Sequence, residues 1–476
     1  WLKYKTIKQK VQIADSHKKL LLQIALLFTV SVSLASFKKI DKPIVDKRTK
    51  IKSNKISGLV LEKTTVKLGF IKLTDMAPLA IAKHKGFFEA EGLNVTLEAQ
   101  ANWRDILDKV ADGQLDGAHM LAGQFIAANS GIGRQVALVT PFSMDLNGNA
   151  ITVSNDVWWK IADYLPKEYG RPIHPIKASD LIPAITLYKE LKKPFVMGVV
   201  SQVSNHNYLL RYWLAAGGIV PGFYNQENQL GNLDGQIRID VVAPPQMPTV
   251  LEQGKINAYC AGEPWNQQAV DVGVGVPLIT SKDIWKNHPE KVFATTKEFA
   301  ENNPNTIIAI TKALIRAGKW LDNPENRKEA SRILAKEAYV DGEKRVIDNS
   351  MLGSYEYEKG DIRVEGDFNV FFKYNATYPY YSDGIWFLTQ MKRWGQITGD
   401  MPNEWYHSKI KEIYKPEIWL KAANLLLEQG VLQKNEIPQT DGYKPATAQF
   451  IDHMVYDGKK PNEYINSFKI GLKSNI

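Results

Sequence analysis

Cysteine is almost missing from this chain: Cys260 is the only one in 476 residues. No internal disulfide can form, and a lone thiol points to neither an oxidising nor a reducing compartment. Enzyme signatures are missing too. There is no phosphate-binding GxxxxGK[ST], no HExxH, no CxxC and no GxSxG, so nucleotide, zinc and serine-hydrolase chemistry have no recognisable motif here. The eight histidines are scattered and none pairs at i, i+4. No 20–50-residue repeat and no low-complexity tract occurs, which removes solenoids and arrays from consideration.

Positive charge is lacking over most of the chain, despite a net +9. Residues 1–55 hold 14 Lys and Arg against three acids, and the remainder holds 46 basic against 48 acidic residues. The basicity belongs to the N-terminus rather than to a folded face, which argues against nucleic acid as a partner. Six lysines precede or abut "LLLQIALLFTVSVSLAS". Its apolar stretch from Leu20 to Ala35 has the length of a secretory h-region and is shorter than the ~20 residues a spanning helix needs. Ser33-Leu34-Ala35 fits a small-x-small cleavage site, and no cysteine stands nearby to make a lipoprotein. The expectation is a signal peptide over 1–35, cleaved after Ala35, and a flexible basic linker over 36–63 leading to an exported, periplasmic chain.

What is present is alternation. "VKLGFI" reads as a buried strand, "APLAIAKHKGFFEAEG" as a helix with a glycine stop, "LNVTLEA" as a strand, "WRDILDKVADG" as a helix, and "LDGAHM" and "RQVALVT" as strands around "LAGQFIAANSG". A second such unit starts near Pro194 with "PFVMGVV" and runs through "NHNYLLRYWLAAGG", "QIRIDVVAP", "MPTVLEQGK", "INAYCAG", "PWNQQAVDVG" and "VPLITS". Strand–helix repetition at this pitch predicts two α/β lobes, each a parallel sheet covered by helices. The expected boundaries are lobe I over 64–150, lobe II over 151–290, a return to lobe I over 291–340, and a helical wrap over 341–476. Residues 155–192 read as helical additions. A cleft between two such lobes meets helix N-termini and strand C-terminal ends, where anions bind.

Candidate ligand residues therefore come from strand-to-helix turns. Thr74 and Asp75 follow the first strand, and Asp75 reads equally as a cap for the next helix. Trp103 offers an indole N–H, a donor only and suited to an oxyanion, or simple core packing. His119 reads first as a core histidine. Asn149 stands where the chain first crosses between lobes. Ser204, Asn205 and His206 open a helix, with Ser204 placed as its cap. Gln246 follows "APP", and Glu263 precedes Pro264, the favoured first residue of a helix. Cys260 reads as an inert thiol in a buried strand.

Taken together, "VKLGFIKLTDMAPLAIAKHKGFFEAEGLNVTLE", "DGAHML", "NHNYLLRYWLAAGG", "VVAPPQM" and "CAGEPWNQQ", in this order, resemble the nitrate/bicarbonate-binding proteins of ABC importers over residues 64–430. The resemblance extends more distantly to sulfonate- and thiamine-precursor-binding proteins. It implies a monomeric, two-lobed periplasmic binding protein (type II-like) that closes on a small planar anion and delivers it to an ABC permease and its ATPase, without catalysis and without a cofactor. The family's indole contact matches Trp103. Asn149 stands where these proteins usually carry Gln, "SQVSNH" replaces a glycine-rich turn while His206 matches, and Glu263 lies in a Gly-Glu-Pro-Trp typical of many members. A lysine near that turn is expected of a nitrate binder, and Lys255 and Lys282 are the nearest. Nitrate or nitrite is the leading ligand. Bicarbonate, with Ca²⁺ held at Glu263, is the alternative. A cytoplasmic anion sensor and a periplasmic enzyme of the thiamine-precursor type remain the readings from other classes.

Overall fold

The computed structural model describes residues 59–476. The expected signal peptide, its cleavage site and most of the expected linker lie outside the described residues.

Ten strands build two five-stranded sheets. They are β1 (Thr65–Phe70), β2 (Asn94–Ala99), β3 (Gly117–Leu121), β4 (Leu138–Ser143), β5 (Asn149–Ser154), β6 (Val196–Val199), β7 (Arg238–Val241), β8 (Ala258–Gly262), β9 (Gly275–Thr280) and β10 (Lys291–Thr296). Lobe I has the order β2-β1-β3-β10-β4 and lobe II the order β7-β6-β8-β5-β9. The principal helices are α1 (Ala77–His84), α2 (Trp103–Ala111), α3 (Ala122–Ala128), α4 (Asn205–Ala216), α5 (Trp265–Asp271), α6 (Pro304–Leu321) and α7 (Tyr381–Trp394).

The sheets are not wholly parallel, as the sequence predicts, but mixed. In lobe I, β10 runs antiparallel to both β3 and β4. In lobe II, β5 runs antiparallel to β8 and β9. The reason is topological. Strands that finish at the cleft all run towards it, whereas β5 and β10 carry the chain in from the other lobe and start at the cleft. Lys291 accordingly pairs with Leu121 at the end of β3, and Asn149 with Gly262 at the end of β8. Both sheets thus deliver the starts of their crossing strands and the ends of their parallel strands to one place, the switch point of an open α/β sheet.

Local sequence explains the helices beside that place. In α2, Trp103, Ile106, Leu107 and Val110 are buried on one face, and Asn102 caps the helix by accepting the Asp105 N–H at 2.9 Å. In α4, Ser204 caps the first turn by accepting the Asn207 N–H at 3.1 Å. The helix expected over "APLAIAKHKGFFEAEG" breaks in two, at 77–84 and 87–90, because Gly86 takes a left-handed φ of 73°. The additions over 155–192 contain a short hairpin, Lys167–Glu168 with Arg171–Pro172, between helical pieces. Its pairing of two residues a side is too short for a period-2 pattern to reveal.

The lobes touch. A Cβ on Gly123 of α3 would lie 2.1 Å from the Val203 carbonyl oxygen of lobe II, so only glycine allows this approach. The C-terminal segment ties both lobes together. Helix α7 packs on α3 and on α4, and just beyond it Gln396 accepts from Tyr208 at 2.6 Å and donates to the Gln202 carbonyl at 3.1 Å. Among the described residues no helix is long and apolar enough to cross a membrane.

Candidate functional site

Where the crossing strands meet the parallel strand ends, charged side chains are buried in a tight group. Lys291, the first residue of β10, is fully buried and donates from Nζ to Asp75 Oδ2 at 2.7 Å and to Glu290 Oε1. The same ammonium stands 5.5 Å from the centre of the Trp103 ring, a cation–π contact. His119 of β3 accepts the Ile71 N–H on Nδ1 at 3.4 Å, which leaves the proton on Nε2. That nitrogen lies 2.7 Å from Asp75 Oδ1, with its N–H off the line to the oxygen. From lobe II, His206 of α4 brings Nε2 to 3.2 Å from Glu290 Oε1. Its neighbour Asn205 donates to His288 Nδ1 at 2.9 Å and to the Pro289 carbonyl at 2.8 Å. A Cβ placed on Gly262 would lie 3.3 Å from Asn149 Oδ1 and 3.6 Å from Asp75 Oδ2, so the Asn149 amide faces the same spot.

The group is incompletely satisfied by the protein. Trp103 Nε1, both polar atoms of the Asn149 amide, both ring nitrogens of His206, Glu290 Oε2 and Asn205 Oδ1 are buried and have no hydrogen-bond partner among the described residues. Buried polar atoms are almost always paired, and an orphan costs about 1–3 kcal/mol. A cluster of them, drawn from both lobes, marks a place built to hold a small polar ligand. The indole N–H, the amide NH₂ and the ammonium are donors, as an oxyanion requires.

Charge follows from burial and neighbours. Burial works to raise the Asp75 carboxyl, but Lys291 and then His119 overcome it and hold it below the ordinary range. Burial opposes the charge on Lys291, yet Asp75, Glu290 and Asp145 raise it above the usual lysine range. Asp145 is pushed well up by burial and by Asp75. Burial, with Lys291 adding to it, drives His206 well below 6.5, and burial takes His288 down to about 4. An interlobe groove of about 1250 Å³ reaches the cluster at Trp103, and Arg104, Gln124, Gln202, Val203 and Tyr224 also line it.

Of the residues singled out in the sequence, Asp75, Trp103, Asn149 and His206 meet here, and His119 joins them as more than a core histidine. Thr74 is beside them, but its N–H and hydroxyl both go to the Glu263 carbonyl, at 2.8 and 3.3 Å, and it stitches lobe I to lobe II. Ser204 is a cap, and its hydroxyl donates to the Ser201 carbonyl at 2.7 Å. Gln246 is exposed at the end of a 3-10 turn and is not brought in.

Glu263 is turned away from the cluster. Its Oε1 accepts from Tyr355 at 2.6 Å and its Oε2 from the Gln267 N–H of α5 at 3.1 Å. Each oxygen thus already accepts one hydrogen bond, from a helix end and from a tyrosine of the C-terminal segment. Burial pushes this carboxyl up to about 7. The lysine expected near this turn also stands elsewhere: Lys282 pairs with Glu365 at 2.7 Å, and Lys255 is exposed. The lysine in the cluster is Lys291, which sequence reasoning missed together with Glu290 and His288. A signal was available in "HPEKVFATT", where an acid and a lysine stand at the mouth of an otherwise apolar strand.

Known proteins are similar to this chain over most of its length. Residues 60–335 match the NMT1-like family. The chain is 33% identical over 418 residues to the nitrate/nitrite binding protein NrtA of Nostoc, covering 86% of this chain and 87% of that protein. It is 36% identical over 420 residues to the nitrate import ATP-binding protein NrtC of Synechocystis, covering 87% of this chain but 57% of that longer protein. The crystal structure of the periplasmic nitrate-binding protein NrtA from Synechocystis superposes with a TM-score of 0.75 at 29% identity, over 87% of this chain and all of that one.

Proposed function

This chain belongs to the NMT1-like family, and on that premise we propose that it captures nitrate or nitrite and hands it to an ABC importer. The observation that carries the reading is the buried interlobe cluster, in which Trp103 Nε1 and Asn149 Nδ2 lack protein partners beside the Lys291 ammonium. Lobe I supplies Trp103, Asp75 and Lys291, and lobe II supplies His206, so a ligand bound here links the two lobes. The permease and ATPase would then read the closed shape. The reading places the protein in the periplasm, exported by the leader with cleavage after Ala35, as a monomer with no cofactor.

Two observations bear on the alternatives. The bicarbonate reading calls on Glu263 to hold Ca²⁺, but both Glu263 oxygens are engaged by Tyr355 and Gln267. An enzyme reading would call on Cys260 as nucleophile, but the thiol is fully buried and burial pushes it above the ordinary thiol range. The test is titration calorimetry with nitrate, nitrite, bicarbonate with and without Ca²⁺, and taurine. Saturable heat with nitrate or nitrite and none with taurine is expected. Binding of bicarbonate alone, and only with Ca²⁺, would overturn the reading.

A further inference from the structure

One ammonium serves two carboxylates in the interlobe cluster: Lys291 Nζ contacts both Asp75 and Glu290. Resting on the nitrate reading above, we propose that the site takes its anion together with one proton from solvent, held on His206 against Glu290.

The argument is one of donors, acceptors and charge. Nitrate can only accept hydrogen bonds. Glu290 Oε2 can only accept as well, and it is buried with no protein donor. His206 stands beside Glu290, its Nε2 3.2 Å from Oε1, and its Nδ1 is likewise buried without a partner. A neutral imidazole that gives its one proton to Glu290 through Nε2 has only a lone pair on Nδ1, and an anion oxygen is repelled by it. An imidazolium donates from both nitrogens, one towards the carboxylate and one towards the anion. Charge points the same way. A third buried negative charge beside a lysine already shared by two carboxylates is costly, and an added proton offsets it.

The surroundings decide where that proton goes. Facing His206 are Glu290 and Lys291 on the return strand, Asp75 on the first turn of lobe I, and His288 just before the crossing. Cys260 on β8 lies near Glu290, and Asp145 lies behind Lys291. His119 accepts the Ile71 N–H on Nδ1 and has Asp75 Oδ1 2.7 Å from Nε2. His288 accepts from Asn205 on Nδ1. Asp145 is engaged by the Lys291 N–H at 3.2 Å and the Asn369 amide at 3.3 Å. His206 is the ring left with both nitrogens unpartnered. Without the anion, burial and Lys291 keep it neutral at pH 7. With the anion, its pKa rises, so the proton is taken up on binding.

The experiment is calorimetry of the whole exported chain with sodium nitrate in phosphate and in Tris, whose ionisation heats differ, at pH 7, 8 and 9. About one proton taken up per nitrate is expected, with Kd rising about tenfold per pH unit in that window. Nitrate binding with no proton uptake and a flat Kd overturns this inference alone. Absence of nitrate binding at every pH overturns the nitrate reading and this inference with it. His206→Gln and Glu290→Gln assign the proton. Uptake that vanishes in either variant supports the pair, and uptake that persists in both overturns it. Where neither variant binds, ¹⁵N-histidine NMR of the unmodified protein reads the same point, since nitrate must convert one neutral ring to imidazolium.

Discussion

Two buried glutamates stand at two corners beside the cleft. Glu263 follows β8 of lobe II, at the turn into α5, and Glu290 precedes β10, where the chain crosses back to lobe I. At the first corner the protein supplies a donor for each oxygen, Tyr355 and the Gln267 N–H. At the second it supplies Lys291 to one oxygen and leaves the other without a donor. The first corner is satisfied within the fold, and the second is left with an unpaired oxygen. Burial and residue type are the same at both, so neither identifies a site. The unsatisfied remainder does.

The strongest way to break this contrast is at Lys291. Replacing it with Met leaves Asp75 and Glu290 buried without their shared ammonium. Removing one partner of a buried ion pair costs about 3–5 kcal/mol. Urea unfolding of Lys291→Met should show a loss of that order, and nitrate heat should vanish at millimolar ligand. A variant that binds nitrate normally would remove the cluster from the binding site altogether.

Trp103 sharpens it further. The indole is buried, touches Lys291 with its face and has an Nε1 without a protein partner. Phe keeps the face and loses the N–H. A hydrogen bond to a charged group contributes about 1.5–3 kcal/mol, so Trp103→Phe should weaken nitrate binding about ten- to a hundredfold. Stability without ligand should not fall, because the N–H is unpaired among the described residues and its removal takes away the cost of an orphan. Unchanged affinity by calorimetry would return Trp103 to core packing.

The strand–helix alternation and several of the residues that come together in the cluster were legible in the sequence, because alternation and strand-end positions are local properties. Asp75 and Trp103 stand just past the ends of strands, where the chain turns towards a helix, and Asn149 opens β5 directly after the glycine turn of the first crossing. Lys291 and Glu290 escaped the strand-to-helix pattern because they lie at the entry to a strand. They face the cleft only because β10 enters its sheet antiparallel, and the direction of a crossing strand is a fact of topology that no short window contains. Glu263 misled for the converse reason. Its Gly-Glu-Pro-Trp is conspicuous locally, but the Tyr355 hydroxyl that engages it lies 92 residues further along the chain.

Glu263 gives the smallest effect on binding and the most particular one on stability. Burial lifts its carboxyl from 4.5 to about 7, so the fold favours the protonated form. A raised pKa contributes stability that is full below about pH 4.5 and is lost as pH rises through 7. The shift corresponds to about 3 kcal/mol between those limits. Glu263→Gln cannot titrate, while it keeps the side chain's length and an oxygen for the Gln267 N–H. Urea unfolding at pH 5, 6, 7 and 8 should therefore show the unmodified protein losing stability relative to the variant as pH rises, with the two curves converging or crossing towards pH 8. Nitrate affinity of the variant should stay within about threefold, since neither oxygen faces the anion. Parallel curves would mean that Tyr355 and Gln267 keep the carboxylate ionised throughout. A large loss of affinity would instead bring the Glu263 corner into the site and dissolve the distinction between the two glutamates.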